Sequence, residues 1–216
     1  MSQILYRVLM AAIDTIPTAI ILIPVLLIAQ HTLFYPISIG REILLIVFGF
    51  YLSAVFVVVG IPSITSIRVD LTFNLIPIID IVNDPPAYIV NTLLNILLFI
   101  PFGFLVPALW KERRSLKNVA LLGFGLSLLI ETLQIFTFRC TDIDDLIFNT
   151  LGAVLGYYIW IIFLHFNRKR AEAELTAQER TEENKLEFPI VFITVFIIIF
   201  LVRPFISEIL WDLVFK

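Results

Sequence analysis

The chain has 216 residues, 60% of them hydrophobic and 15% charged, with a mean hydropathy of +1.00. That composition excludes a soluble globular domain and makes the chain an all-α polytopic membrane protein, a transmembrane helical bundle. The formal net charge of −3 is small and says little about partners, and no nucleic-acid partner is expected; the single cysteine, Cys140, excludes an intrachain disulfide or a cysteine-built metal site; and His31 and His165 stand too far apart to build a histidine site.

The opening residues MSQILYR have the look of a secretory leader, but the apolar run behind them lasts about twenty residues, the length of a span, with no small-residue cleavage pattern after it. It reads as a retained span. Apolar runs long enough for a bilayer of about 30 Å number six, at about 8–29, 43–64, 88–110, 118–137, 145–165 and 188–202. Lys111, Arg113, Arg114 and Lys117 in one loop, and the Lys/Arg-rich segment 168–187, are expected in the cytoplasm by the positive-inside rule. That leaves 65–87 and the acidic break 139–145 outside a multi-pass membrane protein. The chain divides into an additional N-terminal helix and loop (1–42), a membrane core (43–165), a charged cytoplasmic helix or linker (166–187), and a last span with a C-terminal helix (188–216).

The first span carries Asp14, Pro17 and Pro24, so it is expected to kink, with Asp14 either a ligand or relay group or an acid paired to a neighbouring helix. Between the second and third spans, Pro62, Pro77, Pro85 and Pro86, with Asn74, Asn83 and Asp84, predict an irregular loop. Its apolar piece LIPII either dips into the interface or lies on the outer surface. The third span brings Asn91 and Asn95 to one face, as ligand groups or as joints between helices, with Pro101 and Gly103 predicting a kink.

The fourth span sets Glu131 and Gln134 on one face, deep enough in an apolar run that a chance occurrence is expensive. Gly123 and Gly125 predict close helix approach. The break RCTDIDD opens the fifth span, with Thr141 expected as N-cap and Asp144 in a capping-box position. Asp142, Asp145, Asn149, Gly152 and Gly156 then recur every three or four residues along one face, polar groups at the outer end and glycines deeper, where another helix packs. From 167 to 187 a run of mixed charge predicts a solvated helix or linker whose basic start contacts anionic lipid. After the last span, Ile206, Ile209, Leu210, Leu213 and Val214 share a side, an amphipathic interfacial helix anchored by Trp211.

One constellation carries chemistry: Glu131, Gln134, Arg139, Asp142, Asp145 and Asn149, from two helices joined by a short connection. Carboxylates with an amide suit a hard cation such as Mg2+ or Ca2+, with Glu131, Asp142 and Asp145 as the ligands. Arg139 suits a phosphate or carboxylate. No Walker loop, Ser-His-Asp grouping or HExxH is present, so the chain is not read as a familiar enzyme.

The run NLIPI, then NTLLNILLFIPFGFL, ETLQ and RCTDIDDLIFNTLGAVLG resembles the VanZ-like family of bacterial membrane proteins. The matching positions are Asn74 to Pro77, Asn95, Phe99 to Gly103, Glu131 and Gln134, Asp142 and Asp145, and Asn149 and Gly152, over about residues 43–202. The span 8–29 reads as an addition to the family's usual five, leaving Asp14 without a counterpart. The resemblance implies an association with resistance to glycopeptide antibiotics of the teicoplanin type, although members also occur outside resistance clusters. The expected function is binding of an envelope lipid or amphiphile, including a lipoglycopeptide or lipid-linked cell-wall precursor, at the outer leaflet, with no cofactor required. Two alternatives stand beside it: a metal-assisted membrane phosphatase or transferase on a polyprenyl-linked substrate, and a lipid flippase or transporter.

Overall fold

The computed structural model describes residues 18, 20–32, 38–69, 73–74, 76–78, 80–137, 141–167 and 185–215. The expectations for Asp14, Pro17, Arg139 and Cys140, and for most of the 167–187 linker, lie outside them. Five helices among the described residues are long and apolar enough to cross a membrane: 39–59, 85–109, 116–134, 143–166 and 187–209; a shorter apolar helix spans Ile20–Thr32. The all-α reading therefore holds, with the first expected span represented only by its second half. The helices divide into two compact units, one of residues 1–68 with 184–216 and the other of 69–183.

In the first unit, α1 (Ile20–Thr32) is followed by α2 (Ile39–Val59), capped by the Ser38 side chain. Gly60 ends α2 in the left-handed conformation at φ 69°, and the Ile61 N–H turns back to the Phe56 carbonyl at 3.2 Å, a Schellman-type closure that favours glycine. α7 (Glu187–Ile197) runs parallel to α2. Their contacts climb together, from Phe48 with Phe188 to Phe56 with Phe192 and Phe196, in tilted and edge-to-face pairs about 6 Å apart. At the base of this ladder the buried Glu187 carboxylate pairs with the Arg41 guanidinium.

The sequence reading broke the last span at Arg203-Pro204, yet the helix continues. A five-residue π-turn, Ile198–Val202, passes into α8 (Arg203–Phe215). Proline at 204 brings no N–H, and the Phe200 carbonyl, four residues earlier, instead accepts the Ile64 N–H at 3.2 Å. The π-turn accommodates the proline because a neighbouring segment supplies the missing donor. In α8, Ile209 and Leu213 are exposed; the side chains of Leu210, Trp211 and Val214 are outside the described set.

The second unit holds β1 (Phe73–Asn74), the single turn α3 (Asp80–Asn83), α4 (Pro85–Leu109), a 3-10 turn at Lys111–Arg113, α5 (Leu116–Gln134), β2 (Thr141–Asp142) and α6 (Ile143–Phe166). Asp84, Pro85 and Pro86 do not belong to the loop as expected. The Asp84 side chain accepts from the Ala87 N–H at 3.2 Å and the prolines occupy the first helical turn, where a missing N–H is harmless. Pro101 and Pro107 lie inside α4. The helix stays continuous, and Arg114 Nε donates to the Pro107 carbonyl at 3.0 Å while its guanidinium stacks over Trp160.

Backbone contact joins α4 to α6. A Cβ on Gly152 would fall 2.3 Å from the Ile96 carbonyl oxygen, one on Gly156 2.1 Å from that of Ile100, and one on Gly103 1.9 Å from that of Ala153. Gly123 of α5 faces the Ala153 Cβ, whereas among the described residues nothing lies within 4 Å of a Cβ placed on Gly125. Of the expected glycine pair, only the first mediates close approach.

Two measurements check this architecture. Glu187→Ala leaves a guanidinium without its carboxylate and is expected to lower unfolding stability in detergent by about 3 kcal/mol; the double change Arg41→Met with Glu187→Leu is expected to recover most of it. Gly156→Leu drives a side chain into the α4 backbone and is expected to lower the thermal midpoint further than Gly125→Leu, which enters open space.

Candidate functional site

The start of α6 gathers the polar side chains. Asp142, not Thr141, is its N-cap: Asp142 Oδ1 accepts from the Asp144 N–H at 2.9 Å. The assignment differs by one residue because both residue types cap well and follow each other in sequence. Glu131, on the last turns of α5, accepts the Asp142 N–H through Oε2 at 2.9 Å. A carboxylate buried in an apolar helix thus meets the positive end of a second helix, where amides lack intrahelical partners. Gln134 is buried one turn beyond Glu131.

Asp144, expected as a capping residue, reaches elsewhere. It is buried, and its Oδ2 accepts the Ile78 N–H at 2.9 Å. Ile78 has φ 64°, a left-handed conformation that is an outlier for a β-branched residue. Beside it, Asn74 donates to Asp142 Oδ2 at 3.2 Å, and β1 pairs in parallel with β2, Phe73 opposite Thr141 and Asn74 opposite Asp142. The Asn74 to Ile78 segment is therefore docked on the N-terminus of α6. The buried Tyr88 hydroxyl of α4 faces Asp144 and Thr92, and its ring meets Phe148 edge-on.

Asn95 of α4 donates to Asp145 Oδ1, while Asn91 is exposed, so one of the two amides joins helices. One turn below Asp145, the buried Asn149 donates through Nδ2 to Ser127 Oγ at 3.0 Å. Ser127 in turn donates to the Asp145 carbonyl at 3.4 Å.

Of the residues singled out from sequence, Glu131, Gln134, Asp142, Asp145, Asn149, Asn95 and Asn74 converge at one end of the second unit; Arg139 is outside the described residues. Three participants were not singled out as ligands: Asp144, Ser127 and Tyr88. Spacing held a signal for two of them, since Ser127 lies four residues before Glu131 and Tyr88 seven before Asn95, on the same helix faces. No three Asp, Glu, His or Cys side chains among the described residues are grouped to hold a metal ion. Glu131, Asp142 and Asp145, the expected cation ligands, have oxygens turned to an amide N–H or an asparagine on different elements.

The helices around this corner expose apolar side chains outward, among them Ile89, Leu93, Leu97, Leu128, Ile147 and Leu151. A polar interior behind apolar outer faces marks an integral membrane helical protein. The chain belongs to the VanZ/LLP1 family, whose model matches residues 18–164. That match includes α1 and ends before α7. Protein VanZ of Enterococcus faecium is 39% identical over 80 residues, covering 36% of this chain and 49% of that protein; the chain thus spans about half the length of this curated relative. No solved structure matches the chain.

The docked segment yields a direct check. Replacing Asp144 with Ala removes the acceptor of the Ile78 amide, and hydrogen exchange in a peptide containing Ile78 is expected to accelerate about tenfold or more, with peptides from the middle of α4 unchanged. Unaltered exchange at Ile78 would contradict the docking.

Proposed function

We propose that this protein binds the polar head group of an envelope lipid or lipid-like amphiphile, a lipoglycopeptide among them, where its second unit meets the outer leaflet. The observation that carries this reading is the burial of Ser127, Glu131, Gln134, Asp144 and Asn149 at one end of helices whose outer faces are apolar. A tail-bearing molecule matches both properties: acyl chains lie along the exposed Ile and Leu side chains, and the head reaches the polar corner. The basic residues Lys111, Arg113, Arg114 and Lys117 lie at the opposite end of the same helices, which favours a cytoplasmic position for them and an outward one for the cluster. Binding requires no bond-making step and no metal.

Membership of the VanZ/LLP1 family supports a connection with teicoplanin-type resistance or envelope homeostasis. Cells producing Glu131→Ala or Asp145→Ala, at membrane levels matched to the unaltered protein, are expected to lose its effect on teicoplanin susceptibility, and the purified variants to bind amphiphile more weakly. Wild-type behaviour of both variants in both assays would refute the proposal.

A further inference from the structure

Asn149 is 3% exposed, and among the described residues its side-chain oxygen Oδ1 has no hydrogen-bond donor. Its orientation is set by the neighbouring chain of bonds. Ser127 Oγ donates its one proton to the Asp145 carbonyl, so it must accept from Asn149 Nδ2. The amide oxygen is left as a buried acceptor. Leaving such an atom unmet is costly, and a buried group of this kind calls for an explanation.

The surroundings repeat the same polarity. The carboxylates of Glu131, Asp142, Asp144 and Asp145 all serve as acceptors towards the backbone or asparagine side chains. Among the described residues, α5 and α6 thus turn lone pairs to the corner, through Glu131 and through Asp142, Asp144, Asp145 and Asn149, while the donors Asn74 and Asn95 are already directed at Asp142 and Asp145. A bare phosphate, itself an acceptor, is poorly matched to this lining. An ammonium or a sugar hydroxyl is well matched.

We infer that the head group taken by this corner carries N–H or O–H donors, and that Asn149 Oδ1 selects for them. The inference rests on the head-group reading above and adds its chemical class. A site built to receive a donor rejects an analogue lacking one, because the buried acceptor is then left unmet. Reaching Asn149 from the polar end requires passage beside Asp145, one turn above it on the same face.

Phosphatidylethanolamine and phosphatidylcholine form the discriminating pair, since they share phosphate and net charge and differ in the N–H donors. Monoglucosyl diacylglycerol with the same acyl chains supplies hydroxyl donors instead. Binding of each to the full-length protein is measured by native mass spectrometry. Phosphatidylethanolamine or the glucolipid is expected to bind about tenfold more tightly than phosphatidylcholine, the former identifying an ammonium and the latter a hydroxyl donor. The preference is expected to vanish in Asn149→Leu and to survive in Gly125→Ala, which adds a methyl where no described atom lies within 4 Å. Should Asn149→Leu fail to fold, Asn149→Asp, which keeps an acceptor at the same position, is expected to retain the preference. Equal binding of all three lipids, or a preference unchanged by Asn149→Leu, overturns the inference. If phosphatidylcholine binds equally well and Glu131→Ala weakens it, the head-group reading stands and only the donor class falls; if Glu131→Ala and Asp145→Ala leave all lipid binding intact, the head-group reading itself falls.

Discussion

The polar corner depends on backbone contact between α4 and α6. Gly103, Gly152 and Gly156 each approach a carbonyl so closely that a Cβ would overlap it. In a bilayer the helix surfaces gain little by leaving lipid, so close packing through small residues is a principal means of fixing two helices together. That contact sets α6 at the depth where Asp145 meets Asn95. The same helix meets α5 at Gly123 and Ala153, which brings Ser127 opposite Asn149. Polar pairing in the corner is thus a consequence of apolar packing deeper in the unit.

Once α6 is placed, its N-terminus organises the rest. Free amides at a helix start attract anions, and here they receive carboxylates from two elements: Asp142 caps from within, and Glu131 accepts from across the α5–α6 connection. Asp144 is thereby left to reach the docked segment, whose Ile78 amide it holds. Structural duties and the proposed binding consequently share the same side chains. Glu131 spends one oxygen on the Asp142 amide, so its removal disturbs the start of α6 as well as any ligand. Asn149 differs in this respect, because its nitrogen serves the structure and its oxygen does not.

Much of this was readable before the fold was known. Long apolar runs marked the helices, and the recurrence of Asp142, Asp145, Asn149, Gly152 and Gly156 identified the face of α6 that turns inward. Boundaries were less legible. Asp84-Pro85-Pro86 is equally good as a turn and as a cap with two first-turn prolines, and only the Ala87 hydrogen bond distinguishes them. Pro204 looks like a helix end until the donor from Ile64 is seen. Glu187 sits at the edge of a charged run and gave no local sign of burial, because its partner Arg41 is 146 residues away; pairs at that separation leave no spacing to read. The choice between Asp142 and Thr141 as cap, which decides the role of Asp144, likewise turns on geometry rather than residue type.

Charge placement along the second unit meets two demands at once. α4 and α6 both end where Lys111, Arg113 and Arg114 begin to accumulate, so cations meet the negative ends of two helix dipoles. Arg114 shows the consequence directly, donating to the Pro107 carbonyl near the end of α4 and lying over Trp160 of α6. At the other end, carboxylates meet the positive end of α6. The distribution that complements the dipoles is also the one that the positive-inside rule reads as an orientation. Because the acidic end also collects the buried acceptors, a donor-bearing head group arriving there would complete hydrogen bonding that the bundle, closed by its glycine contacts, leaves unfinished at Asn149.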